Sequence, residues 1–140
     1  MKLSTKGRYG VRAMADLAIH YSKEPVSIKS ISERQNISEY YLEQIFSILR
    51  KSNLIKSIRG AQGGYILSKK PEEITIFEIL EVLEGPLEIS NCMKDEECMN
   101  LNNCLTRSLW IKIKKSIDEV VKSTTLKDLI CDYENLDNKE

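Results

Sequence analysis

No window of the sequence approaches the ~18 consecutive apolar residues that a membrane span requires. Met1-Lys2-Leu3-Ser4-Thr5-Lys6-Gly7 also lacks the apolar core of an export signal. The expectation is a cytoplasmic protein with no membrane contact, whose four cysteines stay reduced. There is no Cys-x-x-Cys pair, and the single histidine, His20, is far along the chain from every thiol. A thiol redox enzyme would therefore lack both its motif and its base, and no enzymatic activity is expected. Repeats and low-complexity tracts are absent too. The 140 residues suffice for one compact domain, or for a small head with an extension. Hydrophobic residues at 41% and charged residues at 30% describe a folded chain rather than a disordered one.

Net charge is also absent, with 21 basic and 21 acidic residues, which at first sight excludes a polyanionic partner. The total hides a split. Residues 1–70 carry 13 Lys+Arg against 5 Asp+Glu, a balance of +8, and residues 71–140 carry 8 against 16, a balance of −8. A basic half suits phosphate attraction and counterion release, while an acidic half faces away from a polyanion. Chance clustering of solvated charges gives the same totals, so the distribution gains meaning only from what the basic half contains.

From Tyr9, the residues Val11, Met14, Ala15, Leu17, Ala18 and Tyr21 recur at helical spacing until Pro25. Ser27 stands where an N-cap accepts a free backbone N–H, opening a short helix through Ile28 and Ile31 to about Gln35. Asn36-Ile37 makes a turn, and Ser38 caps a third helix whose buried face is Leu42, Ile45, Phe46 and Leu49. Leu54-Ile55-Lys56-Ser57-Ile58 alternates like a strand, and Tyr65-Ile66-Leu67 returns beside it. The link Arg59-Gly60-Ala61-Gln62-Gly63-Gly64 supplies glycines for angles that side chains forbid. Thr75-Ile76-Phe77-Glu78 has the form of a capping box for a helix to about Glu84, stopped by Gly85-Pro86.

Residues 87–104 are polar and read as an irregular loop. Leu105, Leu109, Ile113, Ile117 and Val120 then mark one stripe of a long helix that needs another surface, for which a second copy is the expected partner. Thr125 caps a last short helix, and 132–140 reads as a frayed polar tail. The expected fold is mainly α with a small two-stranded β wing. It divides into a winged helix-turn-helix head (1–84), a cysteine-bearing loop (85–104), a dimerisation helix with a short C-terminal helix (105–131) and the tail.

Two short helices joined by a tight turn, followed by a wing, form a candidate DNA-reading head. The second short helix enters the major groove, where polar side chains meet base edges. Candidate contacts are Ser38, Tyr40, Tyr41, Glu43 and Gln44. Gln44 has the donor and acceptor to pair with adenine, and Glu43 accepts from a cytosine amino group. Arg50 and Lys51 suit phosphates, and Arg59 with Gly60 at the wing tip suits a narrow minor groove.

The second constellation is Cys92-x5-Cys98-x5-Cys104. Residues six apart on a helix are turned by ~600°, so these thiols meet only by looping. Gathered thiolates suit an iron-sulfur cluster or another soft metal. The spacing is not that of a short structural zinc pair. Zinc, plain redox thiols and unligated cysteines stay open on spacing alone. Cys131, beside Leu126, Leu129 and Ile130, reads as a buried structural thiol, and His20 as a surface or packing residue rather than a ligand.

Leu3-Ser4-Thr5-Lys6-Gly7-Arg8-Tyr9-Gly10, Tyr41-Leu42-Glu43-Gln44-Ile45-Phe46 and Arg59-Gly60-Ala61-Gln62-Gly63-Gly64-Tyr65 resemble the IscR family of bacterial winged-helix regulators over residues 1 to about 130. The resemblance implies a homodimer on a pseudo-palindromic double-stranded operator. Tyr41, Glu43 and Gln44 would serve as recognition-helix contacts and Arg59 as the wing's minor-groove residue. In IscR-like members three cysteines at this spacing hold a [2Fe-2S] cluster that tunes operator choice, and Cys92, Cys98 and Cys104 match them. Iron-sulfur biogenesis genes are the targets this implies. Those members also place a histidine three residues after the last cysteine as fourth ligand, where this chain has Arg107, which is always protonated. Asp95, Glu97, Cys131, a partner residue or a small molecule are the alternatives. NsrR-like members use an acidic residue near the start of the first helix, where this chain has Arg8 and Arg12. Leu109-Trp110-Ile111-Lys112-Ile113 and the stretch 123–129 are similar to CymR-like members. Those lack the cysteine trio, and the alternative they imply is a cluster-free repressor of sulfur metabolism controlled by a metabolic enzyme.

Overall fold

The computed structural model describes residues 2–21, 24–89 and 104–137. Helix α1 (Thr5–Ile19) is followed by α2 (Ile28–Gln35), α3 (Glu39–Lys51), strands β1 (Ile55–Ile58) and β2 (Gly64–Leu67), a single 3-10 turn (Pro71–Glu73), α4 (Ile76–Glu84), α5 (Arg107–Ser123) and α6 (Leu126–Asp137). The fold is a winged helix-turn-helix head extended by two helices, as the sequence pattern anticipated.

Helix α1 starts one turn before the apolar periodicity does. Ser4 is its N-cap, accepting from the Gly7 N–H at 3.1 Å. Gly7 and Gly10, poor helix formers, are there for contact. A Cβ at Gly7 would run into the Glu84 side chain, and one at Gly10 into Leu83, so α1 and α4 touch almost backbone to side chain. Glu84 then accepts from both the N–H and the hydroxyl of Ser4. At the other end α1 stops at Ile19 with His20 as C-cap, short of Pro25.

α1 is the hub, packing against α2, α3, α4, β2 and α6. Its Met14 and Leu17 join Ile31, Leu42, Ile45, Phe46, Ile79 and Leu126 in one continuous core. The wing is antiparallel, pairing Ile55 with Leu67 and Ile58 with Gly64. Val26 exchanges both backbone hydrogen bonds with Tyr65, at 2.9 and 2.8 Å, and the Tyr65 ring meets Phe46 edge-on at 4.9 Å. These contacts tie the wing's base to α3. At its tip Gly60 has φ 116°, in the region that side chains avoid, and the Gly63 N–H closes the turn on the Gly60 carbonyl at 3.0 Å.

Thr75 and Glu78 complete the expected capping box on α4. The corner between α5 and α6 is stitched to the start of that helix, with the Ile76 N–H on the Thr124 carbonyl (2.9 Å) and the Leu126 N–H on the Ile74 carbonyl (3.0 Å). Three expectations need correction at this end. Residues 132–137 are not a frayed tail, because α6 continues through Asp137. Tyr133 and Leu136 extend the spacing set by Leu126, Leu129 and Ile130, so the apolar periodicity outlasts the polar composition. Cys131 is exposed, not buried, since Ile130 takes the inward position and the next residue is turned away by ~100°. Leu105, assigned to the stripe of the long helix, lies before α5 begins and is 98% exposed.

Candidate nucleic-acid interface and thiol segment

The two short helices meet at Asn36, whose left-handed backbone (φ 54°, ψ 49°) ends α2 and turns the chain. Ser38 caps α3 by accepting from the Tyr41 N–H at 3.2 Å. Its hydroxyl is thus engaged with the helix. With Leu42, Ile45, Phe46 and Leu49 buried, the opposite face of α3 presents Tyr40, Glu43 and Gln44, all exposed and separated by three and four residues. Tyr40 is 72% exposed. Tyr41 differs from these three: it is half-buried, with its ring edge against Tyr9 at 5.8 Å. Arg50 and Lys51 are exposed in the last turn of α3, where cations complement the helix dipole. Arg59 and Gly60 are exposed at the wing tip. Among the described residues Arg50, Lys51 and Arg59 take part in no ion pair, which leaves their charge available.

A set of residues behind this face was not singled out from sequence. Asp16 of α1 is 3% exposed and accepts from Arg34 at 3.0 and 2.7 Å and from the Gln35 side chain at 2.9 Å. These bonds hold the Arg34 guanidinium above its ordinary pKa. His20 turns its Nδ1 to the Asp16 backbone carbonyl at 2.8 Å and lies 3.7 Å from Asp16 Oδ1. Arg12 donates to the Gln35 carbonyl at 2.6 Å and lies over the Tyr9 ring, 5.4 Å from its centre. The available signal was an acid standing inside the apolar run Ala13-Met14-Ala15-Asp16-Leu17-Ala18.

Of the cysteine trio, Cys92 and Cys98 lie outside the described residues. Cys104 is partly exposed just ahead of α5, its Sγ 3.5 Å from the Thr106 hydroxyl. That hydroxyl, helped by the Thr106 backbone N–H, holds the thiol below its ordinary pKa, which favours the thiolate form that ligates metals. Arg107 is the first residue of α5. Among the described residues no three His, Cys, Asp or Glu side chains converge on a metal position.

No residue of α5 is fully buried, although Leu109, Ile111, Ile113, Ile117 and Val120 lie along it. Leu109 is 48% and Val120 61% exposed. Among the described residues no helix is long and apolar enough to cross a membrane.

The chain matches the Rrf2 family, described as "Iron-dependent Transcriptional regulator", over residues 3–132. It belongs to the Rrf2 family of transcriptional regulators. The CymR regulator of Bacillus subtilis is 49% identical over 129 residues, covering 92% of this chain and 89% of CymR. The IscR regulator of Photorhabdus laumondii is 42% identical over 137 residues, covering 98% of this chain and 84% of IscR. Among solved structures, B. subtilis CymR, "the Global Cysteine Regulator", superimposes with a TM-score of 0.82 at 46% identity over 92% of this chain and 95% of that one. T. potens IscR gives 0.80 at 50% identity over 97% and 90%. These Rrf2-family relatives are transcriptional regulators rather than enzymes.

Proposed function

We propose that this Rrf2-family chain works as a homodimer that reads a pseudo-palindromic operator, and that a [2Fe-2S] cluster on Cys92, Cys98 and Cys104 sets its choice of operator. The observation that carries the DNA-reading part is the outer face of α3. Tyr40, Glu43 and Gln44 stand exposed side by side, and Arg50 and Lys51 on the same helix and Arg59 at the wing tip are exposed with no ion pair among the described residues. Such a face offers base-edge donors and acceptors in the middle and phosphate or minor-groove contacts at the edge. Dimerisation is supported by α5, none of whose apolar positions is fully buried among the described residues. Two heads related by a two-fold axis engage half-sites one helical turn or a little more apart.

The cluster reading rests on donor chemistry. Three cysteine thiolates suit iron, and Cys104, the one described, is partly exposed with its thiol already biased toward thiolate. When bound, the cluster supplies a group whose presence and oxidation state report iron-sulfur supply. Biasing the head's position by ~1–3 kcal/mol is enough to change operator affinity by ~5–150-fold. Arg107 supplies no fourth ligand, so the redox behaviour need not match that of histidine-ligated centres. Target genes of iron-sulfur biogenesis follow from this reading.

A second reading is favoured by the 49% identity to CymR: a cluster-free repressor of sulfur metabolism controlled by an enzyme partner. Anaerobic purification separates the two. Visible absorption with iron and acid-labile sulfide at cluster stoichiometry is expected for the first reading. A colourless protein whose operator choice is unaltered by replacing all three cysteines with alanine establishes the second.

A further inference from the structure

Asp16 is the one charged residue buried among the described residues; its side-chain hydrogen bonds come from the last turn of α2, and His20 of its own helix lies 3.7 Å from Oδ1. Arg34 grips it in two-pronged fashion, Nη2 on Oδ1 at 2.7 Å and Nε on Oδ2 at 3.0 Å. Gln35 Nε2 shares Oδ2 at 2.9 Å. Bidentate pairing of this kind fixes angle as well as distance. One turn earlier on α1, Arg12 takes the Gln35 carbonyl, one of the acceptors a helix end leaves without an internal partner. Tyr9, on the same side of α1, meets Tyr41 in the first turn of α3.

Helix α2 has eight residues, with only Ile31 fully buried and Ile28 partly buried against the core, so its apolar face is narrow. The polar grip supplies what the apolar contact lacks. Only Asn36, Ile37 and Ser38 separate Gln35 from the start of α3, and Asn36 is already committed to its left-handed turn. A change in the tilt of α2 therefore passes directly to the end of α3 that bears Tyr40, Glu43 and Gln44.

We propose that Asp16 is a positioning residue for sequence recognition: through Arg34 and Gln35 it sets the angle at which α3 is presented. The inference rests on the reading above that α3 meets base edges. Hydrogen bonds to bases are sensitive to small displacements, whereas long exposed side chains such as Arg50 and Lys51 reach phosphates from a range of angles. Loss of the grip should then lower discrimination rather than attraction to DNA in general. The electrostatic effect of removing an acid runs the other way, since it makes a DNA-binding protein more attractive to any duplex.

Asp16→Asn keeps the shape, removes the charge and turns an acceptor into a donor facing other donors. Affinities of the full-length protein are measured by fluorescence anisotropy for random duplex and for the duplex that the wild type enriches from a randomised pool, at two salt concentrations. The expected result is an operator-to-random affinity ratio at least ~10-fold below wild type, with random-duplex affinity equal to or above wild type and an unchanged salt slope. A ratio within two-fold of wild type overturns the proposal. So does an equal fall in both affinities, which is what a merely structural role produces by reducing the folded fraction. Should Asp16→Asn unfold at assay temperature, Arg34→Lys keeps the charge but loses the fork, and the same ratio decides. A wild type that enriches no sequence defeats the DNA-reading function itself, and this inference with it.

Discussion

Replacing Arg59 by alanine isolates what the wing contributes, because among the described residues this side chain takes part in no hydrogen bond or ion pair. It is exposed, takes part in no ion pair among the described residues, and follows Ile58, the last residue of β1. The turn behind it is held by the Gly63 N–H on the Gly60 carbonyl, which the substitution leaves intact. Stability should stay within ~0.5 kcal/mol of wild type. A cation that neutralises one phosphate equivalent contributes ~0.9 to the slope of log affinity against log salt, so two wings contribute ~1.8. The binding defect of Arg59→Ala should accordingly shrink ~12-fold between about 50 and about 200 mM salt, since the wild type loses affinity faster. Anisotropy titrations on one duplex across that range measure it. Parallel salt dependences for the two proteins, whatever their absolute affinities, would refute the reasoning: the wing would then not engage the duplex electrostatically.

Three further outcomes follow from the geometry. Gly10→Ala puts a methyl group into the buried Leu83 side chain and should destabilise the fold by ~1–3 kcal/mol in urea unfolding, with the slope on denaturant unchanged. Val120→Glu together with Leu109→Glu, on positions already half or more exposed within one chain, should convert a dimer into a folded monomer by light scattering. A dimer that persists places the interface elsewhere. Because the Thr106 hydroxyl lowers the Cys104 pKa, the thiolate is present at lower pH than for an ordinary cysteine. Alkylation of Cys104 in metal-free protein with Cys92 and Cys98 changed to alanine should reach its half-maximal rate at lower pH than free cysteine does, and Thr106→Val should move that midpoint upward.

What could be read from the chain beforehand was whatever is decided within a few residues. Ser27, Ser38 and the Thr75–Glu78 box announce helix starts because a cap is a local hydrogen bond, and the glycines after Arg59 announce a turn because backbone sterics are local. The features that escaped are tertiary. Gly7 and Gly10 look like helix breakers until α4 is laid against them. Asp16 looks like a solvated charge until Arg34 and Gln35 arrive from α2 to hold it. The polar residues of 132–137 disguised a helix whose spacing was continuous with the one before it. Within the candidate site, the exposed face of α3 followed directly from which residues its core face used up. The half-burial of Tyr41 did not, because it depends on Tyr9 of another helix.

The zero net charge makes this division of labour consequential. Residues 71–140, which include α4, α5 and α6, carry an acidic excess of 8 that opposes the basic excess of the head, so long-range attraction to an arbitrary duplex is weaker than the head alone would produce. On the proposed reading, Glu43 adds a negative charge at the face that meets the bases, which would penalise every duplex that fails to offer a donor in return. Affinity must then come from contacts that are correctly placed, and each is worth only a few kcal/mol. Under those conditions a shift of α3 worth ~1–3 kcal/mol changes operator occupancy, whereas a strongly basic protein would stay on DNA regardless. If α3 reads base edges as proposed, a neutral chain with a few exposed cations is better suited to being switched than to being tightly bound. On the proposed reading, the buried pairing of Asp16 with Arg34 and Gln35 of α2 is what keeps those contacts correctly placed.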